Sequence, residues 1–203
     1  MKINQILPLV DINNTFNDIR VQNMLAELQE RITQMEHPKG SKLFHLNPTI
    51  KGNGVKTIKE TLMASLKEDG WLLEHRLDLS VTQRQPGPID AVLPLNDSSN
   101  KYIALEWETG NISSSHRAVN KLVSGLLAEK LICGILILPS SNMYRYLTDR
   151  VGNFDELRPY FQVWSSANYA LNEGCIIIIE VEHDVLSLES PLLAKGTDGR
   201  ALR

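Results

Sequence analysis

The chain lacks the features that would place it in several large classes. Only two of its 203 residues are cysteine, Cys133 and Cys175. Both fall in apolar runs, and no metal-ligand spacing joins them, so a disulfide scaffold is excluded and buried free thiols are expected. No apolar run approaches the roughly 20 residues that span a bilayer; the longest cover residues 131–139 and 175–179. The apolar piece at residues 6–10 is too short for a signal peptide and is interrupted by Pro8 and closed by Asp11. A cytoplasmic protein with no membrane partner is the expectation. Basic residues are not in excess either: 21 Lys and Arg against 24 Asp and Glu give 21 − 24 = −3. Nucleic-acid binders are more often basic, but carboxylates kept for metal lower the sum, and binding depends on where the charge sits. There is no P-loop, no Rossmann glycine pattern and no Ser–His–Asp arrangement. The histidines are scattered, with His37 and His183 reading as surface residues and His75 and His116 as neighbours of the candidate site described next. Without an internal repeat or a low-complexity linker, residues 1–203 read as one domain.

What is present is a set of acids on alternating strand positions. Pro88-Ile89-Asp90 ends a Gly-Pro-rich turn, and sixteen residues after Asp90 come Glu106-Trp107-Glu108 within an apolar run. Residues i and i+2 of a strand share a face. A hairpin or meander through the polar residues 96–100 brings Asp90 beside Glu106. Acids gathered on one face repel unless a cation lies between them, and Mg²⁺ takes a few carboxylate oxygens together with water and phosphate. Glu74, in Leu72-Leu73-Glu74-His75, is a third candidate ligand, and Glu108 is placed to act on an attacking water. This is the arrangement of a metal-dependent nuclease, with a two-metal site as one form of it. Acids alternating along a strand are also ordinary solvated surface. Here they interrupt an apolar strand that runs straight into Thr109-Gly110-Asn111 and a helix start of small polar residues.

Periodicity places the motifs. Helical spacing covers residues 16–35, with Ile19, Met24, Leu25, Leu28 and Ile32 on one stripe, and residues 55–68, with Ile58, Leu62 and Leu66. Strands are expected over residues 71–81, 89–95 and 102–108, then a helix over 112–130 with Val119, Leu122, Val123, Leu126 and Leu127 on one apolar stripe. A buried strand at 131–138, a capped helix start at Asn153 and a strand at 175–181 follow, and residues 195–203 read as an irregular tail. Such an order predicts an α/β fold, a mixed sheet flanked by helices.

The start of the 112–130 helix suits nucleic acid. Asn111, Ser113 and Arg117 sit where free N–H groups and the positive dipole end attract phosphate or base acceptors. Simple capping accounts for one of them only. Further on, Asp149-Arg150 offers an acceptor for cytosine and a bidentate donor for guanine, although such a pair is also common as surface ions.

At these residues the chain resembles the BamHI family of type II restriction endonucleases, its shorter members above all. The resemblance is carried by Gly87-Pro88-Ile89-Asp90, by Glu106-Trp107-Glu108-Thr109-Gly110-Asn111-Ile112-Ser113-Ser114 with His116-Arg117 and Asn120-Lys121, by Tyr146-Leu147-Thr148-Asp149-Arg150-Val151 with Asn153-Phe154, by Pro159-Tyr160-Phe161, and by Lys195-Gly196-Thr197-Asp198-Gly199. It runs from about Asn47 to the C-terminus. It implies the PD-(D/E)xK restriction-endonuclease core, acting as a homodimer on double-stranded DNA at the palindrome GGATCC and cutting after the first G to leave 5′ overhangs with 5′-phosphate. It implies Mg²⁺ held by Glu74, Asp90, Glu106 and the Trp107 main-chain carbonyl, with Mn²⁺ as a substitute and Ca²⁺ binding without turnover. Glu108 stands where most of the superfamily has lysine and is the implied general base. Asn111, Ser113, Arg117, Asp149 and Arg150 match base-reading positions, while Asn53, Lys59 and the tail around Asp198 match other DNA-contacting ones. A DNA methyltransferase acting on the same site is implied as well. Longer family members continue into a C-terminal helix that this sequence does not have, and Arg200 takes the place of an apolar residue near the minor groove. There an Arg is electrostatically favoured. The readings that compete are a relative with another palindromic site, a binder that has lost catalysis, a repair nuclease of the same fold and a structural metal-binding domain.

Overall fold

Two unbroken apolar runs set the architecture. The computed structural model describes residues 1–78, 87–148 and 151–195. Its elements are β1 (Lys2–Ile12), α1 (Ile19–Thr33), β2 (His45–Leu46), α2 (Lys56–Glu68), β3 (Leu72–His75), β4 (Ile89–Pro94), β5 (Tyr102–Trp107), α3 (Ile112–Leu127), β6 (Leu131–Pro139), α4 (Ser141–Tyr144), α5 (Phe154–Leu157), α6 (Phe161–Ser165), β7 (Gly174–Glu182) and β8 (Val185–Leu186). The apolar runs are β6 and β7, adjacent interior strands of a sheet ordered β1-β7-β6-β5-β4-β3. Every residue of β6 is buried, which is why it shows no polar alternation: a strand covered on both faces reads as continuously apolar. β5, β6 and β7 run parallel, while β1, β4 and β3 are antiparallel to their neighbours. The expected mixed sheet is present. β2 and β8 form a separate parallel pair.

The strand period of two sorts the core into two layers. Ile103, Leu105, Ile135 and Ile177 meet α1 and α2 through Leu25, Leu28, Ile58 and Leu62. Ala104, Val92, Leu136 and Ile178 meet α3 and α5 through Val119, Leu122 and Phe154. α1 starts at Asp18, whose carboxylate accepts from the Arg20 N–H at 2.8 Å. Ile19 departs from the expected inward stripe. It is 69% exposed, at the first helical position before the buried stripe that begins at Val21.

β1 is not anticipated by the sequence reading, because Pro8 interrupts it. It lies at the sheet edge, and its register against β7 shifts between Pro8 and Val10, the setting in which a strand tolerates proline. β3 is shorter than the 71–81 strand expected, and residues 79–81 lie outside the described residues. Cys133 and Cys175 are buried free thiols, as expected, facing each other across β6 and β7. His183 is a correction. It is buried, not at the surface, with its ring edge-on to Tyr146, and burial pushes its pKa down. Among the described residues no helix is long and apolar enough to cross a membrane.

Candidate active site

The antiparallel pairing of β4 with β5 brings the first two acids together. Ala91 pairs with Leu105, so one step further along the ladder Asp90 stands opposite Glu106. Both carboxylates are buried, at 8% and 5% exposure. Each is held by a lysine from a different face of the sheet. Lys59, on α2, donates to Asp90 Oδ1 at 2.6 Å, and the Trp107 main-chain N–H donates to Asp90 Oδ2 at 2.9 Å. Lys121, on α3, donates to Glu106 Oε1 at 2.5 Å and to the Pro88 carbonyl at 2.7 Å. Burial pushes the Glu106 carboxyl up to about 7, helped by the Asp90 charge and opposed by Lys121 and Lys59. Two acids buried side by side, each with an ammonium on it, make a site whose chemistry calls for cations.

Glu108 lies just beyond the end of β5, partly buried, with Oε1 accepting from the Gly110 N–H at 2.6 Å. Burial raises its pKa and the Asp90 charge adds to this, against the Gly110 N–H, Lys59 and Arg117. Gly110 keeps the space open there, since a Cβ would fall 2.8 Å from Glu108 Oε1 and 2.7 Å from Ser114 Oγ and one of them would have to shift. Glu74 sits on the edge strand β3, between the pairs Leu73–Ala91 and His75–Ile89, so the register carries it level with Asp90. Its side chain is exposed and its φ is +49°. Among the described residues no three His, Cys, Asp or Glu side chains converge as a metal-holding group. Asp90 and Glu106 are thus brought together, and Glu74 stands apart at the rim.

The DNA-facing candidates divide in the same way. Asn111 caps α3, its side chain accepting from the Ser114 N–H at 3.2 Å. Asn111, Ser113 and Arg117 are all exposed at that helix start, and Arg117 donates to Ser114 Oγ at 3.2 Å. Asp149, Arg150, Asp198 and Arg200 lie outside the described residues. Asn53 is turned inward, contrary to the expectation of a DNA contact. It is fully buried, its Nδ2 donates to the carbonyls of Asn47 and Tyr146 at 2.8 and 2.9 Å, and its Oδ1 accepts from the Leu193 N–H at 3.4 Å. His116 packs on Tyr160 and Trp164, and His75 lies against Tyr102, so both rings are engaged by aromatic neighbours.

Sequence reasoning assigned no role to Lys121. The signal was its spacing: Ser113, Arg117 and Lys121 recur every four residues, so they line one stripe of α3. That stripe joins the exposed helix start to the buried acids.

The family model described as restriction endonuclease BamHI matches residues 1–200. The chain is 49% identical to the type II restriction enzyme OkrAI of Oceanobacter kriegii, over the whole of both chains. It is 38% identical to the type II restriction enzyme BamHI of Bacillus amyloliquefaciens, over 92% of this chain and 86% of that one. In fold it is similar to the restriction endonuclease BglII complexed with a DNA 16-mer, with a TM-score of 0.61 at 12% identity, covering 91% of this chain and 79% of the other. Against free BglII the TM-score is 0.56 at 14% identity, over 91% and 81%.

Proposed function

The chain belongs to the BamHI family of type II restriction endonucleases, and from that premise we propose that it cuts double-stranded DNA at the palindrome GGATCC in a Mg²⁺-dependent reaction. The observation that carries this reading is the closed pair Asp90–Glu106, with Glu108 beside it and the exposed start of α3 directly following. The donor set fits the metal. Asp90, Glu106 and the Trp107 carbonyl are hard oxygen donors of the kind Mg²⁺ takes, and Glu74 is the candidate to join them from the rim. Bound there, Mg²⁺ would stabilise charge on the phosphoryl oxygens and acidify a water; Mn²⁺ is expected to replace it, and Ca²⁺ to bind without turnover.

The remaining steps belong to the chain's own residues. Glu108 Oε1 is held by Gly110, which leaves Oε2 to take the proton of the attacking water. Its raised pKa suits a general base working near neutral pH. The water oxygen bonds to phosphorus, the P–O3′ bond breaks and the 3′ oxygen takes a proton from solvent water, giving a 3′-hydroxyl and a 5′-phosphate. Asn111, Ser113 and Arg117, with Asp149 and Arg150, set the register on the bases. A palindrome presents two equivalent half-sites, so the working unit is a homodimer, one copy to each strand. We place the enzyme in the cytoplasm, with a DNA methyltransferase of the same specificity protecting resident sites.

The test is digestion of a sequenced plasmid by purified protein with Mg²⁺, followed by sequencing of the ends. Cuts confined to GGATCC with 5′ overhangs support the reading in full. Discrete cuts at another palindrome retain the centre and overturn the base assignment, and specific binding without cutting overturns the catalytic role.

A further inference from the structure

The three contacts of the acid pair are not equivalent. Both oxygens of Asp90 are engaged, Oδ2 by a main-chain N–H and Oδ1 by the Lys59 ammonium at 2.6 Å. Glu106 has one oxygen on Lys121, and among the described residues its Oε2 accepts no hydrogen bond. A divalent ion can therefore approach Glu106 without breaking a contact. At Asp90 Oδ1 it must share the oxygen with an ammonium, and the two cations repel. The lysines differ as well. Lys121 is anchored twice, on Glu106 and on the Pro88 carbonyl, and its side chain is 14% exposed. Among the described residues Lys59 is paired with Asp90 alone, and a quarter of its side chain faces solvent. It is the ammonium that an incoming anion can reach and draw off.

Resting on the metal reading above, we propose that Lys59 is a resident counter-cation which keeps the divalent ion from Asp90 until a DNA phosphate draws its ammonium away, so that metal loading follows DNA binding. Free protein then holds its acids neutralised from within. Phosphate frees Asp90 Oδ1 at the moment the substrate is in place, and one lysine serves both states, paired with Asp90 in the first and with the DNA backbone in the second.

The experiment is calorimetric titration of the full chain with Ca²⁺, with and without the duplex that the plasmid digest identifies. It compares wild type with Lys59→Met and with Lys56→Met, which removes an equal charge one turn earlier, where the side chain is exposed and paired with Glu60. Without DNA, Lys59→Met should bind Ca²⁺ roughly tenfold more tightly than wild type, the worth of one charge-assisted hydrogen bond, and Lys56→Met should stay within about twofold. With DNA bound, wild type should approach Lys59→Met. Unchanged or weaker Ca²⁺ binding by DNA-free Lys59→Met overturns the proposal, as does equal tightening in Lys56→Met, which would be an effect of net charge. Thermal unfolding verifies that each variant is folded, and Lys59→Gln takes the place of Lys59→Met should the latter fail that check. No Ca²⁺ binding by any protein even on DNA would instead overturn the metal reading itself.

Discussion

The acid centre and the junction around Asn53 both bury polar side chains, and they do so in opposite ways. At Asn53 the account closes. Its carboxamide is bonded to Asn47, Tyr146 and Leu193, its main-chain N–H donates to the Tyr146 carbonyl at 2.9 Å, and its carbonyl accepts from the Thr148 N–H at 2.7 Å. No group is left wanting a partner, and no charge is involved. Gly54 continues the junction, because a Cβ there would fall 1.8 Å from the Ala194 carbonyl oxygen. At the acids the strands supply a single contact, the Trp107 main-chain N–H on Asp90 Oδ2. Asp90 and Glu106 are neutralised only by two long side chains reaching in from helices on opposite faces, and Glu106 is still pushed up to about 7. A satisfied neutral network is what rigidifies a fold. A buried acid pair with a perturbed pKa is what a ligand site looks like.

Mutation should separate the two regions cleanly. The largest effect is expected at the acids, in activity. Asp90→Ala and Glu106→Ala should each lower the cleavage rate roughly a thousandfold or more, because several kcal/mol of transition-state stabilisation pass through their oxygens. Specific DNA binding, followed by gel shift, should be largely kept. Near-wild-type cutting by either variant would remove the acids from the centre. The next effect is expected in stability. Asn53→Ala strands the Leu193 N–H and the Asn47 carbonyl in a buried setting, at a cost of about 2–4 kcal/mol. Urea unfolding checks this, and a loss under about 0.5 kcal/mol would mean that the junction relaxes or admits water.

The two regions also differ in how far the sequence discloses them. Asp90 and Glu106 lie on consecutive strands joined by a short polar connection, so their meeting follows from local pattern and hairpin geometry. β6 and β7 are legible for a similar reason, since strands buried on both faces carry unbroken apolar runs. Asn53 is bonded to residues 93 and 140 positions away, and nothing in Lys51-Gly52-Asn53-Gly54 beyond a turn signal marks it. β1 is hidden by Pro8, which only its place at the sheet edge makes tolerable. Lys59 is visible as a basic residue, but its partner depends on how α2 docks on the sheet, and that is set by Ile58 and Leu62 in the core. Glu74 is legible in register and not in direction: the strand carries it level with Asp90, and its positive φ and exposure leave its side chain at the rim.

The smallest effect is a curve, and it distinguishes the regions by charge. Burial, with Asp90 nearby, lifts the folded Glu106 carboxyl from 4.5 to about 7. Between those values the folded chain keeps a proton that the unfolded chain has released. The unfolded state then binds fewer protons, so this residue makes stability fall as pH rises from about 4.5 to about 7, and its effect is constant beyond either limit. Glu106→Gln removes the ionisation while leaving an oxygen for Lys121. In metal-free buffer its stability relative to wild type should therefore climb across that window and level off above it, by on the order of 1–2 kcal/mol. His183, whose pKa burial lowers, acts with the opposite sign, but it is common to both proteins and cancels in the difference. The Asn53→Ala difference should stay flat across the same pH range, because none of the groups it disturbs ionises. Parallel curves for the two variants would mean that the charge at the acid centre is closed within the fold after all.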